Sequence, residues 1–249
     1  ESHVDRSIET PKMFMDNNII GTFNLLESVR EYYKNCNTKK KENFRFLHIS
    51  TDEVFGSLSS KGYFNELSRY DPRSPYSASK AASDHIVSAW HHTFDLPILI
   101  TNCSNNYGPW QHPEKLIPKI IFNAMNDLPI PIYGNGENIR DWLFVEDHVN
   151  GLIKVLNDGI IGEKYCIGGN EEKTNNEVVN TICEILDELI PRENTHKNLI
   201  NYVVDRLGHD KRYAINASKI SDELGWAPQF SFKDGLAITV SWYINKFTK

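Results

Sequence analysis

Apolar positions recur along this chain in two rhythms. Between residues 11 and 34, Phe14, Ile19, Phe23, Leu25, Leu26 and Val29 fall at roughly helical spacing behind Pro11, whose fixed φ suits a helix start. Residues 44–50 read as a buried strand. Residues 75–94 carry Ala78, Ala81, Ala82, Ile86, Val87 and Trp90 in a helical pattern, and 97–103 form a second apolar strand. Polar stretches at 35–43 and 56–74 read as surface loops. Strand, helix and strand, with the strands continuously apolar, predict a parallel sheet with crossover helices and an α/β fold.

After Pro109 the texture changes. A helix is predicted over 114–127, short strands over 130–134 and 139–145, and a helix over 147–157 with Asp147 as its N-cap. Tyr165-Cys166-Ile167 and Gly168-Gly169-Asn170 follow, then a helix at 175–189, a polar and mobile stretch at 190–198, and helices at 217–224 and 233–246. The expected architecture is a partial doubly wound sheet followed by a smaller, mixed C-terminal lobe.

Composition narrows the classes. The 249 residues are 40% hydrophobic and 24% charged, which is ordinary for a globular protein with a core. A net charge of −6 argues against nucleic acid as a partner, since phosphate backbones call for a basic face. The four cysteines, Cys36, Cys103, Cys166 and Cys183, form no CxxC motif, so free thiols in a reducing cytoplasm are expected. No apolar run approaches the ~20 residues of a membrane span. The chain opens on Glu1 rather than Met, without an element leading in, so further sequence is expected before it.

In open parallel sheets, ligands bind beyond the C-terminal strand ends. Thr51-Asp52-Glu53 falls at one such end and Asn105-Asn106 at the next. Tyr76 and Lys80, four apart, share a helix face. An ammonium beside a phenol favours the phenolate, and two carboxylates in differing surroundings can serve as acid and base. Each signal alone is weak. A Tyr–Lys spacing arises often by chance on exposed helices, adjacent carboxylates crowd surfaces (Glu171-Glu172 reads that way), and paired asparagines before Gly108-Pro109 suit a turn. Lys115, Arg140, Arg206 and His209 read singly as surface charges and together as a set for a diphosphate. The other histidines lack metal-ligand spacing, and no metal site is expected.

The combination exceeds chance. Glu1-Ser-His-Val-Asp-Arg-Ser7, Thr51-Asp-Glu-Val-Phe-Gly56, Ser74-Pro-Tyr-Ser-Ala-Ser-Lys80, Thr101-Asn-Cys-Ser-Asn-Asn-Tyr-Gly-Pro109, Pro113-Glu-Lys-Leu-Ile-Pro118, Arg140-Asp-Trp142 and Asp205-Arg-Leu-Gly-His-Asp210 occur in this order. Together they closely resemble the nucleoside-diphosphate-glucose 4,6-dehydratases, above all the dTDP-glucose branch, which are extended short-chain dehydrogenases/reductases. Asp52 makes the distinction: related epimerases and decarboxylases typically carry Ser or another residue there, and GDP-mannose dehydratases carry Ser-Glu.

The resemblance implies a Rossmann-type fold, with residues 1–110 the C-terminal part of an NAD-binding domain. Residues 111–249 would then be mainly a sugar-nucleotide lobe, some of whose strands and helices return to the first domain. It implies NAD as cofactor, a nucleoside-diphosphate-glucose as substrate, and a homodimer through the helices at 11–34 and 75–94. Thr51, Asp52, Glu53, Tyr76 and Lys80 match catalytic positions. Ser2, Asn17, Asn106, Tyr76 and Lys80 match cofactor positions. Ser2, Thr51, Asn105, Lys115, Leu116, Pro131, Tyr133, Arg140, Asn175, Arg206 and His209 match positions around the sugar nucleotide.

Two small departures are Phe55, where the family usually has Tyr, and Leu207, where it usually has Pro. A larger one lies at the front. The family begins with a Gly-rich strand–turn–helix that cradles the cofactor's pyrophosphate. This sequence does not contain it, and a truncated form of a longer parent is expected. Three other readings stay open: a UDP-glucose 4,6-dehydratase, another sugar-nucleotide epimerase or decarboxylase, and a non-catalytic sugar-nucleotide-binding scaffold.

Overall fold

The computed structural model describes residues 1–206 and 208–247, so Leu207 lies outside the described residues. Helix α1 (Val4–Glu9) is followed by α2 (Pro11–Phe14), a wider π-helical stretch (Met15–Ile20) and α3 (Gly21–Lys34), which run on from one another. Pro11 occupies the first turn of α2, where its missing N–H costs nothing. The stretch at 35–43, expected as loop, holds a short helix α4 (Thr38–Asn43). Its Asn37 cap accepts from the Lys40 N–H at 3.0 Å, which is enough to start a turn through a lysine run. Strand β1 (Phe46–Thr51), a 3₁₀ turn (Asp52–Phe55), helix α5 (Pro75–Phe94) and strand β2 (Ile98–Cys103) come next. A reciprocal capping box between Ser74 and Ser77 fixes where α5 begins.

The second half adds β3 (Asn105–Tyr107), α6 (Leu116–Met125), β4 (Ile130–Tyr133), β5 (Ile139–Phe144), α7 (Val145–Asp158), β6 (Lys164–Ile167) and β7 (Glu172–Thr174). Helix α8 (Asn175–Leu189), strand β8 (Ile200–Val203) and helices α9 (Ser218–Leu224) and α10 (Phe232–Phe247) close it. Strand β8 escapes sequence reading because it is half exposed and exists only as the parallel partner of β4. Asp147 is not an N-cap; Phe144 takes that place. Asp147, in the first turn of α7, accepts instead from the N–H groups of Gln229 and Phe230 at 2.9 and 3.0 Å, pinning the approach to α10. The stretch at 190–198 is tied down rather than loose: His196 is buried and its Nδ1 lies 2.5 Å from the Asp187 carboxylate.

Strands β1, β2 and β6 form a parallel sheet in that order. Helices cover both faces, as the apolar strands required. On one side Leu26 of α3 and Val87 of α5 pack with Leu96, Ile98 and Ile100. On the other, Val155 of α7 and Ile220 of α9 pack with Leu99, Tyr165 and Ile167. A second core joins α6, α8 and α10 to β4 and β5 through Ile117, Ile121, Ile182, Leu186, Trp142, Leu236 and Val240. Each such side chain contributes about 1.5–3 kcal/mol when fully buried. Phe55 is buried between Phe64 and Tyr70, each ring centroid 5.3 Å away, where a phenyl ring fills the space without a hydroxyl to satisfy. In register, Ser50 lies beside Asn102 and Thr51 beside Cys103, so the two strands end level and deliver their polar termini to one edge.

Candidate active site

The polar cluster begins where β1 stops. The Thr51 hydroxyl accepts from the Glu53 N–H and donates to the Asp52 carboxyl, both at 3.3 Å, which curls the chain into the 3₁₀ turn. Gly56 ends that turn at φ +87°; a Cβ there would lie 2.6 Å from the Asp71 carbonyl oxygen. Asp52 is left 1% exposed. Opposite, α5 places Tyr76 and Lys80 one turn apart. Tyr76 is buried, edge-on to Phe14. The Lys80 ammonium donates to the Ile49 carbonyl at 2.8 Å.

That last bond changes the electrostatic picture drawn from the sequence. Burial, followed by the negative charges of Glu53 and Cys103, pushes the Tyr76 phenol well above its ordinary value, with the Thr51 hydroxyl pulling the other way. Lys80 spends its ammonium on backbone, and burial lowers its own pKa while Asp84 opposes the fall. Burial first and Glu53 second raise the Asp52 carboxyl well above the usual carboxylate range. Burial also raises Glu53, but Arg140 and Lys115 pull it back.

These groups line a cavity of about 800 Å³. Ser2, Asn105, Asn106, Lys115, Leu116, Pro131, Tyr133, Arg140, Asn175, Arg206 and His209 line it too. Arg140 is buried, not a surface charge: its guanidinium donates to the Asp210 carbonyl at 3.0 Å and stacks 4.4 Å from the Tyr213 ring. Arg206 pairs with Asp5 at 2.5 Å, and Lys115 donates to the Ser2 carbonyl at 2.6 Å. Asn17 is the exception. Its amide turns back along its own helix to the Met13 carbonyl, while the next residue, Asn18, faces the cavity and donates to Ser79. Glu171 and Glu172 are not an idle surface pair either: Glu172 grips Arg212 through both oxygens at 2.6 and 2.8 Å, and Glu171 pairs with Lys173.

The sequence reading assigns no site role to Gln111, His148 or Trp142, the last of them quoted only as part of the Arg140-Asp-Trp142 motif. All three line the cavity, and each has a buried side-chain polar atom without a protein partner, as do Asp52, Asn105 and Asn106. Burial lowers the His148 pKa to about 4, so the ring is neutral. Nothing in their spacing marks them; only the convergence of strand ends does. Unpaired buried polar atoms are costly, and so many facing one cavity make a preformed set for a polar ligand. Around Tyr76, Lys80, Ser2 and Asn106 the set fits a nucleotide cofactor.

A parallel sheet clothed by helices on both faces, with a Tyr–Lys pair beside a strand-end hydroxyl, defines the class: a Rossmann-type short-chain dehydrogenase/reductase. A family model described as GDP-mannose 4,6 dehydratase matches residues 1–239, and the chain belongs to that family. It is 55% identical over 250 residues to a dTDP-glucose 4,6-dehydratase of Xanthomonas campestris pv. campestris (strain B100), covering 100% of this chain and 71% of that protein. An Escherichia coli dTDP-glucose 4,6-dehydratase is 54% identical over 98% of this chain and 70% of its own length. Among solved structures, a dTDP-glucose 4,6-dehydratase from Streptomyces venezuelae with NAD and TYD bound superposes with TM-score 0.89 at 44% identity, covering 100% of this chain and 72% of that one. One from Bacillus anthracis in complex with NAD gives 0.84 at 46%, covering 94% and 70%.

Proposed function

We propose that this chain removes water from dTDP-glucose to give the 4-keto-6-deoxy sugar nucleotide, with NAD as its resident cofactor. The observation that carries the reading is the Thr51–Glu53 turn: a hydroxyl, a carboxyl sealed from solvent and a second carboxyl facing cations, all in one cavity with Tyr76 and Lys80. An oxidation alone needs a proton acceptor for one hydroxyl, whereas a dehydration also needs its own acid and base. The relatives' names, and the NAD in their structures, point the same way.

Ser2, Asn106, Tyr76 and Lys80 hold the reacting end of NAD, which when bound supplies the hydride acceptor for C4 and the donor for C6. Tyr76 takes the proton of the sugar 4-hydroxyl, for which its raised phenol must first ionise, helped by the Thr51 hydroxyl, which pulls its pKa down and donates to the same sugar oxygen. The resulting ketone acidifies the C5 proton, which Glu53 removes. Asp52, protonated in its dry position, gives its proton to the departing 6-hydroxyl, and water leaves. Glu53 then returns a proton to C5. Lys115, Arg140 and Arg206 take the diphosphate, with Asn105, Asn175 and His209 around the sugar. Leu116, Pro131 and Tyr133 enclose the base.

Residues 1–110 serve the cofactor and 111–249 mainly the sugar nucleotide, with β6, α7 and α9 returning to the first sheet. A homodimer through 11–34 and 75–94 is supported by Ile20, Leu25 and Tyr32, each more than half exposed within 11–34, and by Phe94, 39% exposed at the end of α5. The four free cysteines support a cytoplasmic enzyme, since thiols stay reduced there. No helix among the described residues is long and apolar enough to cross a membrane. The test is turnover by the full-length protein. dTDP-glucose should yield the 4-keto-6-deoxy product faster than UDP-glucose does; a product with its 6-hydroxyl intact would refute the reading.

A further inference from the structure

Asp84 is buried, 1% exposed, and does not line the cavity. A carboxylate in such a place costs several kcal/mol unless it is paired and hydrogen-bonded. Four donors meet it. His48 lies 3.0 Å from one oxygen; Ser50 at 2.8 Å, Tyr70 at 2.9 Å and Asn102 at 3.3 Å donate to the other. These come from β1, from the 56–74 loop and from β2. Burial pulls the carboxyl upward, but the bonds from His48 and Ser50 and the charges of His48 and Lys80 outweigh it and hold the carboxyl below its ordinary range.

The donors also lead back to the reacting groups. Asn102 shares its amide between Asp84 and the Thr51 carbonyl, 3.1 Å away. His48 and Ser50 flank Ile49, whose carbonyl receives the Lys80 ammonium. On α5, Tyr76, Lys80 and Asp84 are spaced four apart, so one helix face carries phenol, ammonium and carboxylate in successive turns. We infer that Asp84 is a positioning residue of the reaction: its carboxylate keeps Lys80 a cation in its half-buried seat on the cavity wall, and its hydrogen bonds hold Ile49 and Thr51 in register with α5. The inference rests on the dehydratase reading, in which Lys80 acts as an ammonium beside Tyr76.

Other titrating groups face this pair. They are His48 on β1, Cys103 on β2, Tyr70 from the loop and Tyr76 on α5 itself; Lys164 on β6 reaches Asp84 through Tyr70, its Nζ donating to the Tyr70 hydroxyl at 3.1 Å. Helix α3 turns its charges elsewhere, Glu27 pairing with Arg30 and accepting from Trp90. Of these, Asp84 alone is an acid one turn from Lys80 and ionised throughout the neutral and alkaline range.

The test is the pH profile of kcat for Asp84→Asn in the full-length holoenzyme. Turnover of dTDP-glucose by the wild type is the control, and its absence would defeat the dehydratase reading rather than this one. The alkaline limb, where Lys80 loses its proton, should move down by about one pH unit, with kcat reduced and KM little changed. A uniformly lower kcat with the limb in place would overturn the inference. If Asp84→Asn does not fold, the double variant Ser50→Ala/Tyr70→Phe strips two donors from the carboxylate and leaves its charge less shielded. Its alkaline limb should then rise by a few tenths of a unit, and an unmoved limb overturns the inference.

Discussion

Asp52 and Glu53 are neighbours in the chain, both raised by burial but to unequal extents. Asp52 is desolvated and faces the negative charge of Glu53, whereas Glu53 faces Arg140 and Lys115. Burial raises both carboxyls, but the two cations check the rise at Glu53, so Asp52 is the one held more firmly protonated. In the proposed reaction Asp52→Asn should stop water loss but leave C4 oxidation. Substrate would then build up reduced cofactor absorbing at about 340 nm, with product formation down by at least ~100-fold. Normal turnover would remove Asp52 from its role.

Glu53→Gln should block the following proton abstraction. The same absorbance should appear, kcat should fall by roughly 10²–10⁴-fold, and exchange of the C5 hydrogen with deuterated solvent should cease. Retained exchange would place the base elsewhere.

Gly56 gives a prediction that concerns the backbone. A methyl group there would meet the Asp71 carbonyl oxygen at 2.6 Å in a conformation that disfavours side chains. Gly56→Ala should destabilise the protein by roughly 1–3 kcal/mol and lower kcat as the 52–55 turn shifts. A thermal melt and a kcat measurement check both halves; unchanged values would mean that the loop yields freely.

Asp187 offers a pH test far from the cavity. Burial pulls its carboxyl upward, but hydrogen bonds from Thr195 and His196 prevail and hold it at about 2. A depressed carboxylate contributes stability that is present above its unfolded value near 4 and lost as pH falls through about 2. Asp187→Asn should therefore lower Tm by a few degrees at neutral pH, and the gap between variant and wild type should close towards pH 2. A gap that stays constant across that range would refute the assignment.

Most of this geometry was written in local pattern. The starts of α5 and β2 follow from Pro75 and from an unbroken apolar run, and Thr51, Asp52 and Glu53 could be placed at a strand end because strand ends are where such sheets bind. What stayed hidden depends on partners distant in sequence. Strand β8 has no face of its own until β4 lies beside it. Asp147 looks like a cap until Gln229 and Phe230 arrive. His148 and Gln111 acquire meaning only where separate segments converge. Asn17 and Asn18 show the limit of motif matching: one residue's step around the π-helical stretch decides which amide meets the cavity.

The Asp5–Arg206 pair ties the first helix to a cation on the far wall of the cavity, which both residues line. An incoming anion therefore meets an Arg206 whose Nε and Nη2 already face a carboxylate, and competes with that carboxylate for the guanidinium. Affinity for any phosphate at this position is the difference between two ionic contacts, and binding is an exchange of counter-ions. Salt will weaken both sides of that exchange, so affinity should depend on ionic strength less steeply than the number of cations in the cavity would suggest.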